Sequence, residues 1–287
     1  MVPKGNKGKG FIVSVFGLLL AVLGVIWIVV IFPSLDKMPG DYARTFHFVG
    51  EFSAMNQQTQ QLDTFPVEQK LTQEAVETLN GAIRIHEVRT ISHAQSGDVL
   101  PQYGDETIHT IDRRTLEYMA NLDERGRTGN FGPVRPCTED ATFDLWNAGA
   151  NEPLTASFSH AEEFRGLKVN VFEIEAAEIP RGKHPQTGAD LFFAINLKLW
   201  IEPSTGAVVN QMSTSTTSMD MMENSVPVQI SKIQYADTTV ETMVDFAGTS
   251  RNQLMWFRDI LPWVLIGVGG VLVLLDVLVI GRRKASA

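Results

Sequence analysis

Phe11-Ile12-Val13-Ser14-Val15-Phe16-Gly17-Leu18-Leu19-Leu20-Ala21-Val22-Leu23-Gly24-Val25-Ile26-Trp27-Ile28-Val29-Val30-Ile31-Phe32 runs for 22 residues without a charge. A second apolar run, Leu261 to Ile280, lies near the other end of the chain and carries one acidic residue, Asp276. At ~1.5 Å per residue the two make helices of about 33 and 30 Å, each enough to cross the roughly 30 Å hydrocarbon layer of a bilayer. Lys4, Lys7 and Lys9 precede the first run, and Arg282, Arg283 and Lys284 follow the second. The positive-inside rule therefore places both termini in the cytoplasm and the intervening chain outside.

These runs define the expected organisation: a basic tail over 1–10, a membrane helix over 11–32, an extracytoplasmic domain over 33–260, a second membrane helix over 261–280 and a basic tail over 281–287. A cleaved signal peptide has an apolar stretch of about 7 to 15 residues and a small-residue cleavage site. The first run is longer, and Pro33-Ser34-Leu35-Asp36-Lys37 contains no Ala-x-Ala-like site, so an uncleaved anchor is expected. Trp27, Phe32, Trp256, Phe257 and Trp263 mark the outer interface, where amphipathic rings settle.

Charge divides along the same lines. Pro33 to Ile260 holds 18 basic and 32 acidic residues, a net charge of −14. Such a field repels nucleic-acid phosphates, which excludes a nucleic-acid partner, and favours solubility or cationic partners. Cys137 is the only cysteine, so no intrachain disulfide forms. A segment of this length buries its own core without one.

The segment is dominated by period-two patterning. In Thr45 to Phe52, Phe46, Phe48 and Phe52 alternate with His47, Val49 and Glu51, and in Ala82 to Ile91, Ile83 and Ile85 alternate with Arg84 and His86. Two hairpins are expected: Thr107 to Asp112 returning through Arg113-Arg114-Thr115 into Leu116 to Met119, and Phe192 to Ile201 returning through Glu202-Pro203-Ser204-Thr205-Gly206 into Ala207 to Met212. Pro203 presets φ for the first corner of the second loop, and Gly206 can take its left-handed position. Val169 to Ala176 and Val226 to Ala236 add strand-like runs, while Asn121 to Pro136 reads as a loop. A helix is expected over Glu68 to Leu79, closed by Asn80-Gly81. Another starts at Thr238, where Thr238-Thr239-Val240-Glu241 has capping-box spacing and Val240, Met243, Val244 and Ala247 recur at helical intervals. The fold class is therefore α+β, with a mainly antiparallel β ectodomain flanked by N- and C-terminal transmembrane helices.

Motifs for chemistry are missing. Gly-x-Ser-x-Gly, His-Glu-x-x-His, Cys-x-x-Cys and P-loop patterns do not occur. The six histidines, at 47, 86, 93, 109, 160 and 184, fall outside the helical spacing of a metal site; those beside Glu87 and near Glu162 and Glu163 read as surface residues. No enzymatic activity, catalytic residue, cofactor or metal ligand is expected. Met212, Met219, Met221 and Met222 flank a Ser/Thr run, and thioethers are soft ligands for Cu(I). Filling an irregular core is the plainer role, since no His or Cys accompanies them.

Within the spans, Ser14, Gly17, Ala21 and Gly24 follow 3-4-3 spacing and form one small-residue stripe, which lets helices approach closely. The second helix, around Gly267 and Gly270, is the expected partner, with homo-oligomerisation the alternative. Asp276 sits ~7 Å inside the cytoplasmic end of its helix. Snorkelling or pairing with Arg283 or Lys9 explains it; a partner-binding or ion-related role is the functional alternative.

The N-terminal anchor, Asp112-Arg113-Arg114-Thr115, Phe143-Asp144-Leu145-Trp146, Phe164-Arg165-Gly166-Leu167-Lys168-Val169, Trp200-Ile201-Glu202-Pro203-Ser204-Thr205-Gly206 and the second span together resemble the porin PorA family, an envelope family of actinobacteria. Its motifs are turns and strand starts. The resemblance implies a fold and an envelope location, with no catalytic residues to transfer. The two-anchor plan also resembles, in architecture alone, CD36-type receptors with a lipid tunnel. The expectation is a two-pass plasma-membrane protein of the cell envelope whose external domain binds or scaffolds, with an envelope lipid or protein as partner; the rival reading is an oligomeric, porin-like channel.

Overall fold

The computed structural model describes residues 7–56, 58–185, 187–221 and 224–285. The chain divides into a helical unit, Met1–Lys37 with Ser250–Ala287, and a β unit, Met38–Thr249.

In the helical unit, α1 (Lys7–Ile26) passes through a π-helical turn at Trp27–Ile31 into α2 (Phe32–Leu35), and a second π turn at Met255–Ile260 precedes α4 (Leu261–Ala285). Two helical runs, Ile12–Leu35 and the one ending at Leu278, are long and apolar enough to cross a membrane. Their apolar side chains point outward: Leu18 is 60% exposed, Leu19 61% and Leu274 62%. A core helix of a soluble protein would bury such a surface, whereas acyl chains match it.

The β unit is built from β1 (Ala43–Met55), β2 (Leu62–Thr78), β3 (Ala82–His93), β4 (Asp105–Asp112), β5 (Thr142–Asn147), β6 (Glu152–Phe164), β7 (Leu167–Lys183), β8 (Asp190–Glu202), β9 (Ala207–Met221) and β10 (Asn224–Tyr235), followed by α3 (Asp237–Leu254). They form a ten-stranded sheet in the order β4-β3-β2-β1-β10-β9-β8-β7-β6-β5, every pairing antiparallel. The two edge strands are not left open. Ile111 of β4 bridges Tyr118, Glu117 bridges Asn130, and Asn130 bridges Leu145 of β5. This stitching covers parts of both edges, the surface through which sheets otherwise pair with foreign strands. The expected hairpin at Arg113-Arg114-Thr115 supplies its first stitch, with Asp112 Oδ1 accepting the Arg114 and Thr115 N–H groups at 2.7 and 2.9 Å.

One expected element is wrong. Glu68 to Leu79 is not a helix: Leu62–Thr78 is the long strand β2, paired along β1 and β3. Two neighbouring strands supply its backbone partners and override the helix-forming composition of Glu, Gln, Lys, Leu and Ala.

The buried face holds most of the core. Phe172, Ile174, Phe193, Ile195, Leu197, Leu199 and Ile201 pack with Phe143 and Leu154 on the β5–β8 side. Val240 and Met243 of α3 cover Phe46, Phe48 and Tyr235, and Ala247 packs on Leu167, Val169 and Val209. The helical repeat seen in the sequence thus faces the sheet. Where β1 crosses β10, Gly50 lies opposite Ile233 so closely that a Cβ would collide with the Lys232 carbonyl oxygen and stand 2.9 Å from Ile233 Cα. Gly50→Ala is expected to cost ~1–3 kcal/mol, read as a lower denaturant midpoint at unchanged m-value.

Candidate functional site

Strand register creates a polar rung across the buried face. Arg44 of β1 lies opposite Gln73 of β2, Gln73 opposite Glu87 of β3, and Glu87 opposite Thr107 of β4. Tyr42 donates its hydroxyl to Gln73 Oε1 at 2.8 Å, and Gln73 Nε2 donates to Glu87 Oε2 at 2.8 Å. On the other side Arg127 Nη1 donates to Thr107 Oγ1 at 3.0 Å, and its Nε and Nη2 clasp Asp123 at 3.0 and 2.8 Å. Arg127 Nη2 also donates to the Ile108 carbonyl. One rung out, His109 bonds Tyr118 Oη through Nδ1 at 2.7 Å, and its Nε2 lies 3.6 Å from Glu87 Oε2.

These groups are out of water, which sets their electrostatics. Burial pushes the Glu87 carboxyl up, but the contacts with His109, Arg89 and Gln73 outweigh it and hold it below the usual carboxylate range. Burial likewise raises Asp123, and the hydrogen bonds from Arg127 and from the Thr110 and Arg127 N–H groups reverse the effect. Burial pushes the Tyr42 hydroxyl up to about 12, with Arg44 opposing the rise and the Glu87 charge adding to it. The two carboxylates therefore stay charged and act as anchors. With Glu87, His109 and Tyr118 shut inside the sheet, the arrangement ties β2, β3 and β4 to the segment that stitches the edges.

Chain sequence contained little sign of this. Gln73, Glu87, Thr107 and Arg127 are ordinary surface residues by type, and only the register stacks them. His160 and Glu162 stand 3.5 Å apart, and His86 and Glu106 2.8 Å apart. Met212 and Met219 are odd-spaced on β9, so they occupy opposite faces; Met219 accepts Thr187 Oγ1 at 3.3 Å, and Met212 is exposed. The side chain of Met221 and the whole of Met222 lie outside the described residues. Cys137 is fully buried, and burial pushes its thiol up to about 12.

In the helical unit the small-residue stripe lies against α4. Cβ atoms on Gly17 would stand 2.6 Å from the Gly269 carbonyl oxygen, and on Gly24 2.9 Å from that of Pro262. Gly269 in turn faces Ala21, with its Cβ position 2.8 Å from Ala21 N. Ser14 donates its hydroxyl to Asp276 Oδ2, and Asp276 is 7% exposed. Gly267 and Gly270 have nothing within 4 Å of their Cβ positions, so the expected contact at those two residues is corrected to Gly269. Helix phase is the reason: Pro262, Ile266, Gly269, Val273 and Asp276 follow 4-3-4-3 spacing, and a one-residue step turns a side chain by about 100° away from that line. The side chains of Lys9 and Arg283 lie outside the described ones. At the level of the π turns Trp27 Nε1 donates to the Phe257 carbonyl at 2.7 Å, with the rings 6.2 Å apart.

A depression of about 410 Å³ lies on the β7–β9 surface, walled in part by Ala176, Ala177, Ala194, Thr214 and Thr216. It is open to solvent, unlike the enclosed apolar tunnel that a buried lipid tail requires.

A family model described as porin PorA matches residues 133–278, slightly more than half of the chain. The match covers the Phe143–Trp146, Phe164–Val169 and Trp200–Gly206 stretches and most of the second span; Asp112–Thr115 and the first span fall outside it. None of the curated proteins matches. Among solved structures, the crystal structure of Rv2717c from M. tuberculosis is similar at 10% sequence identity, over 67% of this chain and 91% of that chain, with a TM-score of 0.28. A likeness at that score supports no inference about this chain.

Proposed function

The chain belongs to the porin PorA family, and from that premise we propose that it is a two-pass plasma-membrane protein whose β unit faces the extracytoplasmic side and works as a binding or structural module of the cell envelope. The observation that carries the reading is where apolar surface lies. Side chains on α1 and α4 present it outward, as lipid requires, while the β unit turns it inward as packed phenylalanine, isoleucine and leucine.

A channel-forming barrel has the reverse arrangement, an apolar outer belt around a polar, water-filled interior. On β9 the alternate positions Thr214, Thr216 and Ser218 are polar, and inward Leu197 and Leu199 of β8 are buried, so the β unit is not disposed to span a bilayer. No reaction is assigned, because the carboxylates of the polar rung, Glu87 and Asp123, are buried and engaged with Gln73 and Arg127.

Orientation is tested by labelling in intact cells. Glu139 is exposed two residues beyond Cys137, so Glu139→Cys is expected to react with a membrane-impermeant maleimide added from outside. Cys137 itself, buried and with its thiolate suppressed, is expected to stay unlabelled until the chain is unfolded. Labelling of Glu139→Cys only after the cells are permeabilised would overturn the orientation. For function, the purified chain is expected to give no single-channel conductance in planar bilayers, and reproducible conductance would favour the channel.

A further inference from the structure

Arg44 lacks, among the described residues, the oxygen partner that other partly or wholly buried basic groups of the β unit have; Arg113, without a carboxylate, donates to the Met38 carbonyl at 2.8 and 2.6 Å. Arg84, Arg89, Arg127 and Lys198 each have a carboxylate within 4.0 Å. Arg44 has none among the described residues. Its Nη1 donates to Met243 Sδ at 3.4 Å, its guanidinium stacks 3.6 Å from the Phe246 ring centre, and the Tyr42 ring lies 5.8 Å away.

The residue across the strands from it, Gln73, is spent on Tyr42 and Glu87. Burial weakens the guanidinium's hold on its proton, yet an arginine stays charged in proteins. A half-buried cation without an anion is costly, and the usual remedy is an oxyanion held by the planar fork. Beside it Phe246 is 38% exposed, an apolar surface next to the charge.

We propose that Arg44 is the anion-binding centre of a site for a phosphodiester group carried on an apolar body, which lies against Phe246 and Met243. The charge balance favours a monoanion. One guanidinium neutralises one phosphodiester, whereas a phosphomonoester dianion would bring surplus negative charge into a strongly acidic domain. The stacked ring holds the guanidinium plane and leaves the remaining donors of its fork for two phosphate oxygens. The site gives the binding reading above its ligand class and rests on that reading.

The test uses the full chain in a nonionic detergent and two probes followed by ³¹P NMR titration. Dioctanoyl phosphatidylglycerol stands for a lipid headgroup, and dimethyl phosphate for a free phosphodiester. The expected result is saturable binding of the lipid probe that falls at least tenfold in Arg44→Met and several-fold in Arg44→Lys, which keeps the charge but not the fork. Dimethyl phosphate is expected to bind more weakly because it lacks the apolar contact; equal, Arg44-dependent affinity for both would identify a free phosphodiester as the ligand source. Near-UV circular dichroism reports whether Arg44→Met is folded, and if it is not, Arg44→Lys decides, with undiminished affinity overturning the site. Lipid binding that a folded Arg44→Met leaves unchanged overturns the site but not the binding reading. Failure of the wild-type chain to bind either probe overturns the site and leaves the module a scaffold.

Discussion

Arg127→Met is expected to lower the unfolding temperature of the β unit by roughly 6 to 20 °C, from a loss of about 3–5 kcal/mol at 2–4 °C per kcal/mol for a unit of this size. Both partners are sealed off: the Arg127 side chain is 2% exposed and that of Asp123 0%. Removing the guanidinium leaves a buried carboxylate with backbone donors only, and breaks the bond to Thr107 that joins the 123–127 loop to β4. The charge rather than the volume is decisive, so the double variant Asp123→Leu with Arg127→Met should recover much of the loss, as buried pairs replaced together by apolar groups often do. Thermal unfolding of both variants in the same detergent checks this. Equal loss in the single and double variants would mean that packing dominates.

The same pair fixes the response to acid. The Asp123 carboxyl is held below its usual range, and so is that of Glu87. A group whose folded value is depressed contributes stability that is present above the unfolded carboxylate value of ~4 and is lost as pH falls through the folded value. The wild-type chain should therefore keep its β unit down to pH ~4 and lose stability below it. Arg127→Met removes the main force depressing Asp123, so acid unfolding should begin at higher pH.

Gly269→Leu is expected to separate α1 from α4. A Cβ at 269 already meets Ala21 N at 2.8 Å, and the Gly17 carbonyl presses on the same point, so a leucine has no rotamer that avoids backbone. Overpacking of this kind costs ~1–3 kcal/mol, and splitting the pair also strips Asp276 of its Ser14 donor, a bond of about 0.6 to 1.7 kcal/mol in membrane helices. Disulfide trapping between cysteines placed on facing turns of α1 and α4 would report the loss as reduced cross-linking. Gly267→Leu and Gly270→Leu, with open space at their Cβ positions, should cross-link like the parent. Equal damage from all three substitutions would contradict the assignment of the packing face to Gly269.

How far the chain could be read in advance depended on whether a signal was local. The patterns in Thr45 to Phe52 and Ala82 to Ile91 alternate because one face is apolar and the other wet, and β1 and β3 lie there. The same rule failed over Glu68 to Leu79. The inward positions of β2 include Gln69 and Gln73, both buried, so the face that should have looked apolar looked polar. Gln73 faces inward because the rung from Arg44 to Asp123 gives it partners, and that rung exists only through the pairing of four strands and a loop. Gly269 shows the same limit in the helical unit: small residues at 267, 269 and 270 are equivalent by type, and the phase of α4 against α1 chooses among them.

Hydrophobic length and terminal charge by themselves determined that two helices suit a bilayer, and period-two alternation determined that the chain between them is mainly antiparallel β, because both depend on residues within one element. Tertiary structure alone decided which strands are neighbours, that the sheet's edges are stitched through residues 116–131, that Asp276 meets Ser14, and that Arg44 is left without a carboxylate among the described residues. Those outcomes turn on distances of 3 to 4 Å between groups far apart in the chain, and a hydrogen bond or ion pair has no strength until folding brings both partners within that reach.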